Sequence, residues 1–350
     1  MTPAEARALF PVLDQLAYLN AGTFGPVARV TADAVRDQLD DELEHGRFGK
    51  EYFERMLSLR AGVRSSLAGL VGASPEQVSL TSSTTDGCNI VLAGLDLSPE
   101  DEIVTTREEH FGLLGPVHAS GARVVVVAAE PEAILAAVTT RTRLLALSQV
   151  LWTTGRVLPV RELREQTGVP VLVDGAQSVG AIAVEAQGLD FLTISGQKWL
   201  CGPDATGALV VADPERLRVA LPSYFSQMGY DETGSFEPAV GAARFDPGWI
   251  ATASLAGLQA ALELPPEWRF ERAAEQAARC RELLSPHVEL VPGGATLVSF
   301  RSDDPPALVA SLFEAGVVVR DLPGTGLVRV SCGWWTSDDD LERLRVAIRK

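Results

Sequence analysis

The sequence predicts an α/β protein built on a mostly parallel, buried sheet. Two short apolar runs carry this prediction: residues 171–173 end in Asp174, and residues 191–194 end shortly before Lys198. Short runs that are bounded by glycine and proline and separated by a turn-rich crossover are typical of neighbouring parallel strands. Because parallel strands leave a sheet by the same edge, Asp174 and Lys198 are expected at the edge where open α/β sheets bind ligands.

The remaining elements follow in order. The sequence predicts a short helix over residues 1–17, one or two long helices over 30–70, strands at 78–82, 103–106, 123–129 and 144–150, and a helix from 131. Beyond Lys198 it predicts a strand at 207–211, a helix from 251, a helix over 268–285, strands near 296–300, 317–320 and 327–331, and a last helix from 338.

Length and composition indicate a globular chain with a large and a smaller domain. The chain has 350 residues, of which 46% are hydrophobic and 22% charged, and this is long for one domain. We expect a large domain over residues 16–255 and a small one over 256–350, with residues 1–15 packed on the small one.

The charge and the cysteines disfavour several classes of partner and site. The net charge of -16 disfavours nucleic acid and anionic membrane surfaces as partners. The N-terminus lacks a basic segment before an apolar core, so a cytosolic protein is expected. The cysteines at 88, 201, 280 and 332 are widely spaced and form no metal-like cluster with the histidines, so neither structural disulfides nor a metal site is expected.

The pair of Asp174 and Lys198 suits one cofactor. Pyridoxal phosphate needs a lysine for the Schiff base with its aldehyde and an acid that keeps its ring nitrogen protonated. The alternative is structural: Asp174 would cap a turn, and Lys198 would be a solvated surface lysine.

Two motifs point to a family. The segments DGAQSVG (174–180) and SGQKWLCGP (195–203) resemble the class V aminotransferase group of fold-type I pyridoxal phosphate enzymes, which includes cysteine desulfurases, selenocysteine lyases, cysteine C-S lyases and isopenicillin N epimerase-like proteins. The resemblance runs from residue 18 to the final helix. It implies a large domain with a seven-stranded sheet and a smaller α+β C-terminal domain.

The resemblance also implies residue roles at the cofactor. Lys198 would form the aldimine and then act as the base for the Cα proton, while Asp174 would hold the ring nitrogen. His110, just after a glutamate at a strand end, would stack on the ring and pass protons; otherwise it is a surface histidine that caps a helix. The other expected cofactor contacts are Gln177 at the phenolic oxygen and Thr84, Thr85, Ser195 and Gln197 at the phosphate. Thr84 and Thr85 open a helix after a strand, where backbone N–H groups favour an anion.

For the substrate, the resemblance implies that Arg329 grips the α-carboxylate, and that a bend containing Asn20 and Gly22 lies over the cofactor. A guanidinium can make two parallel hydrogen bonds to a carboxylate; the alternative is an exposed strand arginine. Residues 243–249 resemble a loop that crosses to the partner subunit, with Gly248 as the matching residue. A homodimer with shared active sites is therefore expected.

The chain departs from the family pattern at three positions. Gln149 stands where a histidine is usual, Trp152 or Thr153 takes the place of an asparagine near the ring hydroxyl, and Trp249 replaces a threonine that touches the other subunit's phosphate. These departures concern the substrate pocket.

The predicted function is a pyridoxal phosphate enzyme that acts on a small amino acid, as a C-S lyase or an epimerase-like enzyme. Aminotransferase and cysteine desulfurase are the alternatives, although residues 320–328 lack the cysteine that a desulfurase needs. From another class, the chain would bind cofactor or amino acid without turnover, as a regulator. A nicotinamide enzyme is disfavoured because no strand is followed by GxGxxG.

Overall fold

Strands and helices alternate through the middle of the chain in the computed structural model, which describes residues 1–349. The helices are α1 (Pro3–Ala8), α2 (Arg29–His45), α3 (Gly49–Leu70), α4 (Thr84–Gly94), α5 (Phe111–Ala119), α6 (Pro131–Ala137), α7 (Val160–Thr167), α8 (Thr252–Leu262), α9 (Arg269–Leu284), α10 (Pro305–Glu314) and α11 (Asp338–Ile348). The strands are β1 (Ala17–Tyr18), β2 (Val78–Thr81), β3 (Glu102–Thr106), β4 (Arg123–Val127), β5 (Thr142–Ser148), β6 (Val171–Asp174), β7 (Phe191–Ser195), β8 (Gly207–Val211), β9 (Gln227–Tyr230), β10 (Phe236–Pro238), β11 (Leu297–Arg301), β12 (Val317–Val318), β13 (Arg320–Leu322) and β14 (Leu327–Ser331).

A seven-stranded sheet in the order β2-β8-β7-β6-β5-β3-β4 forms the centre of the fold. Its strands run parallel except β8, which is antiparallel to both β2 and β7. The predicted parallel pairing of β6 with β7 is present, with Asp174 opposite Thr193. The predicted α/β fold with a mostly parallel sheet is confirmed.

Side chains from both faces of this sheet are buried, which explains why its strands appear as continuous apolar runs. In β6, Val171 and Val173 join one apolar cluster, whereas Leu172 between them belongs to a cluster on the opposite face. Because β6 and β7 are parallel neighbours, their carboxyl ends, Asp174 and Ser195, lie at the same edge of the sheet.

A second, three-stranded antiparallel sheet, β11-β14-β13, lies in the C-terminal part. The N-terminus packs there: β1 pairs with β12, Phe10 contacts Trp334 and Trp335, and Arg7 forms an ion pair with Asp340. The domain boundary at residue 255 stays a prediction.

Three local features differ from the sequence-based expectation. The first helix ends at Ala8, because Pro11 begins a separate 3₁₀ turn and proline disfavours a helical residue before it. The segment at 317–320 is divided between β12 and β13, and the β9–β10 hairpin was not predicted. None of the helices within residues 1–349 is long and apolar enough to cross a membrane.

Candidate active site

Asp174 lies at the end of β6 and is 4% exposed. Its Oδ1 accepts a hydrogen bond from the backbone N–H of Ala176 at 2.9 Å. Within residues 1–349 this buried carboxyl has no ion-pair partner of its own. A buried charge without a partner is costly, so Asp174 suits a cationic ligand group better than the structural role of a turn cap alone.

Lys198 follows β7 through a tight turn. The N–H of Gly196 donates to the carbonyl of Thr206 at 2.8 Å, and the N–H of Gly25 donates to the carbonyl of Gln197 at 2.8 Å. A side chain at Gly25 would overlap the carbonyl oxygen of Lys198, so this close approach requires glycine. Lys198 is half-buried rather than a solvated surface lysine.

The ammonium group of Lys198 is in an unfavourable environment. Burial, opposed by the charge of Asp174 and assisted by the positive charges of Arg329 and Arg320, lowers its pKa to about 8. At pH 7 to 8 a larger fraction of the Lys198 amine is therefore neutral than in an ordinary lysine. A neutral amine is the form that captures an aldehyde or takes a proton.

His110 is the N-cap residue of α5, and its Nδ1 accepts a hydrogen bond from the backbone N–H of Gly112 at 3.0 Å. The neutral ring therefore carries its proton on Nε2. Burial, followed by the charge of Lys198, lowers the pKa of His110. His110 is thus both the predicted helix cap and a neighbour of Lys198.

The hydroxyl groups predicted for a phosphate lie at one edge of the sheet. Thr84 and Thr85 begin α4, whose N-cap is Ser83. Ser195 is paired with Gly207, which is also paired with Thr81, so the ends of β7 and β2 lie on either side of β8. Free backbone N–H groups and the dipole of α4 favour an anion at this place.

Ser195 and Gln197, the other predicted phosphate contacts, are bonded to each other. The Ser195 hydroxyl donates to Oε1 of Gln197 at 2.7 Å. The amide N–H groups of Gln197 make no hydrogen bond within residues 1–349, so they remain available as donors.

Arg329, on β14, is 1% exposed, which excludes the exposed strand arginine. Its Nη1 donates to the carbonyl of Trp152 at 2.8 Å, its Nη2 donates to Thr23 Oγ1 at 3.3 Å, and its buried Nε has no partner in the described chain. Burial lowers the pKa of Arg329 to about 9, and Arg320 contributes to that shift. The guanidinium of Arg329 is thus held in place by two hydrogen bonds, and no acidic side chain of the described chain pairs with it.

Arg320 was not predicted as a site residue. It is the cross-strand partner of Arg329 in the β13–β14 pair, and its Nη1 donates to the same Thr23 hydroxyl at 3.1 Å. Neither arginine has an acidic partner among the ion pairs of residues 1–349. Two adjacent guanidinium groups without an acidic side-chain partner in the described chain suit an anionic ligand group.

The N-terminal bend meets these residues from the other side. Asn20 Oδ1 accepts from the Thr23 hydroxyl at 2.8 Å, which fixes the hydroxyl that both arginines use. A Cβ at Gly22 would lie 2.7 Å from Arg329 Nη2, so a side chain there would displace the guanidinium. The predicted contribution of Asn20 and Gly22 to the substrate site fits this geometry and stays a prediction.

Gln177 is already engaged by protein groups. Its Nε2 donates to the carbonyl of Gly22 at 2.8 Å, and its Oε1 accepts from Trp199 Nε1 at 3.0 Å. One amide hydrogen is left for a phenolic oxygen. Gln177 therefore joins the bend to the Asp174 end of the site in addition to its predicted role.

The structure shows where the residues that depart from the family pattern at 149, 152 and 153 lie. Trp152 fills the space: its ring meets His110 edge-on at 5.1 Å between centroids. Thr153 is turned away and donates to Glu108 Oε2 at 3.1 Å. The Gln149 Oε1 is buried without a donor in the described chain. Trp152 thus contacts His110 through its ring and Arg329 through its carbonyl oxygen.

Gly248 is not brought to the other site residues by any contact described within one chain. It has nothing within 4 Å of the position of a Cβ, and the neighbouring Trp249 is 65% exposed. Trp249 stacks on Tyr224 at 6.2 Å between centroids. This loop end is an open surface of the single chain.

The similarities to known proteins agree with this geometry. The family model described as "Aminotransferase class-V" matches residues 20–323. Isopenicillin N epimerase of Amycolatopsis lactamdurans is 30% identical over 99% of this chain and 98% of its own length, and cysteine desulfurase of Enterobacter sp. is 30% identical over 78% and 74%.

Two solved structures of the lyase C-DES are also similar. One, with glycine covalently linked to its pyridoxal phosphate cofactor, has a TM-score of 0.90 at 28% identity and covers 98% of both chains. The other, a complex of the cystine C-S lyase with its product cysteine persulfide, has a TM-score of 0.89 at 29% identity and covers 97% of this chain and 98% of that one. With the family model spanning most of its length, the chain belongs to the class-V aminotransferase family.

Proposed function

We propose that this chain is a pyridoxal phosphate-dependent C-S lyase that acts on a small amino acid with a second anionic group. The predictions of an enzyme and of this cofactor are confirmed by the family. One observation carries the proposal: Asp174 and Lys198 at the edge of the seven-stranded sheet lie close to Arg320 and Arg329 of the three-stranded sheet, and none of the four forms an ion pair within residues 1–349.

The residues present fit the cofactor. When bound, pyridoxal phosphate supplies an aldehyde for a primary amine and a ring that accepts electrons from the substrate's Cα. Asp174 would hold the ring nitrogen, His110 would cover one face, and Thr84, Thr85, Ser195 and Gln197 would hold the phosphate. Gln177 would offer its remaining amide hydrogen to the phenolic oxygen.

Arg329 and Lys198 would have different roles toward the substrate. Arg329 would bind the α-carboxylate, which fixes the Cα–H bond, and Lys198 would take the Cα proton. The bond between Cβ and sulfur would break, with the electron pair leaving on sulfur. From cystine this gives cysteine persulfide, and addition of water to the remaining three carbons gives pyruvate and ammonia.

Arg320 supports a substrate that carries a second carboxylate. It lies beside Arg329 without an acid of its own, and the two share the Thr23 hydroxyl. Cystine has this charge pattern, and it is the substrate in the name of the similar C-S lyase. An epimerase-like reaction needs the same Lys198 proton transfer, and the full-length similarity to isopenicillin N epimerase supports it as the second candidate.

Product analysis separates these functions. We expect purified holoprotein to convert cystine to pyruvate, ammonia and persulfide. Exchange of the Cα proton with solvent and racemisation, without pyruvate, would favour an epimerase. Keto-acid formation that requires an acceptor keto acid would favour an aminotransferase, and a cofactor spectrum that no amino acid changes would favour a regulator.

Replacing the cysteines distinguishes a lyase from a desulfurase. Cys88, Cys201, Cys280 and Cys332 are all buried, which restricts the access of substrate to them. Burial also raises the pKa of Cys88 and Cys201, so these two thiols are poor nucleophiles. We expect the four-alanine variant, where folded, to keep kcat/KM with cystine within about threefold. The measurement is pyruvate release beside alanine analysis. Alanine as the native product, together with loss of activity in a folded variant, would contradict the lyase.

The predicted homodimer with shared sites rests on the resemblance of residues 243–249 to a loop that crosses to the partner subunit, and the exposed Trp249 next to Gly248 is compatible with it. We expect Lys198→Ala and Gly248→Glu chains, each inactive alone, to restore about a quarter of the native activity when they are unfolded and refolded together, because a mixed dimer would hold one complete site. Refolding each variant alone is the control. A monomer in solution, or no recovery on mixing, would contradict the shared site.

The expectations that concern the cellular setting stay predictions of the sequence. They are a cytosolic location and the absence of nucleic acid and membrane partners.

A further inference from the structure

A second carboxyl group is buried beside Asp174. Glu109 immediately precedes His110 and is 4% exposed. Its Oε2 accepts from the backbone N–H of Ser148 at 3.0 Å, and Ser148 is paired with Asp174 across β5 and β6. The two acids therefore lie on either side of one strand end, and neither has a cationic partner among the ion pairs of the described residues.

The contacts of Glu109 suit a neutral carboxyl group. Its Oε1 lies 2.8 Å from the Thr106 hydroxyl, and a hydroxyl can donate to a carboxylate or accept from a protonated carboxyl. Glu109 can thus hold a proton without losing either contact. Burial raises the pKa of Glu109 to about 7, against the hydrogen bonds from Ser148 and Thr106, and the charge of Asp174 adds to the rise.

Asp174 has a different environment. Its carboxylate accepts a backbone N–H from Ala176 and faces the cationic side of the site. Besides Asp174 on β6, the titratable groups near Glu109 are its chain neighbours Glu108 and His110 and, on α4, Cys88. Burial raises the pKa of Cys88 well above its usual value, so that it stays neutral. A neutral Glu109 adds no negative charge next to the Asp174 carboxyl group.

Resting on the proposed function, we propose that Glu109 is a positioning residue: its buried carboxyl group carries a proton in the folded chain, so it places no second negative charge beside Asp174, the residue that would hold the ring nitrogen of the cofactor. The sequence analysis gave Glu109 no role. The proposal explains why this carboxyl group is buried although no cationic side chain pairs with it in the described chain.

The Glu109→Gln variant imitates the protonated state, because its amide can donate to Thr106 and accept from Ser148. We expect the absorption spectrum of the bound cofactor in the native holoenzyme to change with a midpoint near pH 7, and this change to be lost in Glu109→Gln. Glu108→Gln, which removes the half-buried neighbouring carboxylate, should retain it.

Stability provides a readout without the cofactor. Because folding raises the pKa of Glu109 from about 4.5 to about 7, the stability due to its neutral form is complete below about pH 4.5 and is lost as pH rises through about 7. We therefore expect the free energy of unfolding of the native chain to fall relative to that of Glu109→Gln over this interval.

The outcomes decide the proposal. An unchanged spectral midpoint in a folded Glu109→Gln variant, or a difference in stability that does not depend on pH, would overturn it. If the variant fails to fold, infrared titration of the native chain decides: a buried carboxylic acid band must disappear near pH 7 and its midpoint must fall in Asp174→Asn. A chain that binds no pyridoxal phosphate would overturn the proposed function itself, whereas one that binds it and titrates unchanged overturns only the role of Glu109.

Discussion

Replacing Lys198 with alanine is expected to reduce turnover of cystine by at least about a thousandfold, because one side chain both anchors the cofactor and moves the Cα proton. The buried surroundings distinguish Lys198 from the other amines of the described chain: it alone combines a pKa near 8 with a position beside Asp174 and Arg329. The measurement is pyruvate release under single-turnover and steady-state conditions.

A matched control is Lys50→Ala, which removes an exposed lysine on α3 that forms a surface ion pair with Glu54. It should leave turnover unchanged. Lys198→Ala should stay folded and keep affinity for the cofactor through the Asp174 and Thr84 ends of the site. Residual turnover within about tenfold of the native rate would mean that another base removes the proton.

Replacing Arg329 with lysine is expected to lower kcat/KM by about a hundredfold, since the charge remains but the two parallel hydrogen bonds to the α-carboxylate are lost. The loss should be confined to substrates that carry that carboxylate. We therefore expect the preference for cystine over the corresponding diamine, cystamine, to fall by a similar factor. Competition between the two compounds measures it directly.

Arg301→Ala is the control for this variant. Arg301 lies on the adjacent strand β11 and forms an exposed ion pair with Glu289, so its loss should change neither kcat/KM nor the preference. Equal losses for cystine and cystamine in Arg329→Lys would show that the arginine supports the fold through Trp152 and Thr23 rather than binding the carboxylate.

The sheet edge and its charged residues were predictable from the sequence for a physical reason. Buried parallel strands must be apolar, so the first polar residue after each strand marks the ligand-binding edge. Asp174 and Lys198 follow this rule. The face of Arg329 was also predictable, because alternation along β14 places Val328 and Val330 in the core and the arginine opposite.

Other parts of the site depend on contacts that a sequence does not contain. Arg320 became visible only through the pairing of β13 with β14, which places it beside Arg329. Glu109 resembles any polar residue before a helix cap, and only its burial next to Asp174 separates it from Glu108. The antiparallel direction of β8 is likewise not encoded in its continuous apolar run.

The most direct test of the central claim is borohydride reduction of the holoprotein followed by peptide mapping. If the chain is a pyridoxal phosphate enzyme with Lys198 as its reactive amine, the reduced cofactor will be attached to the peptide that contains Lys198, and the visible absorption band will be bleached. Attachment to any other lysine, or release of unmodified cofactor on denaturation after reduction, would contradict the account.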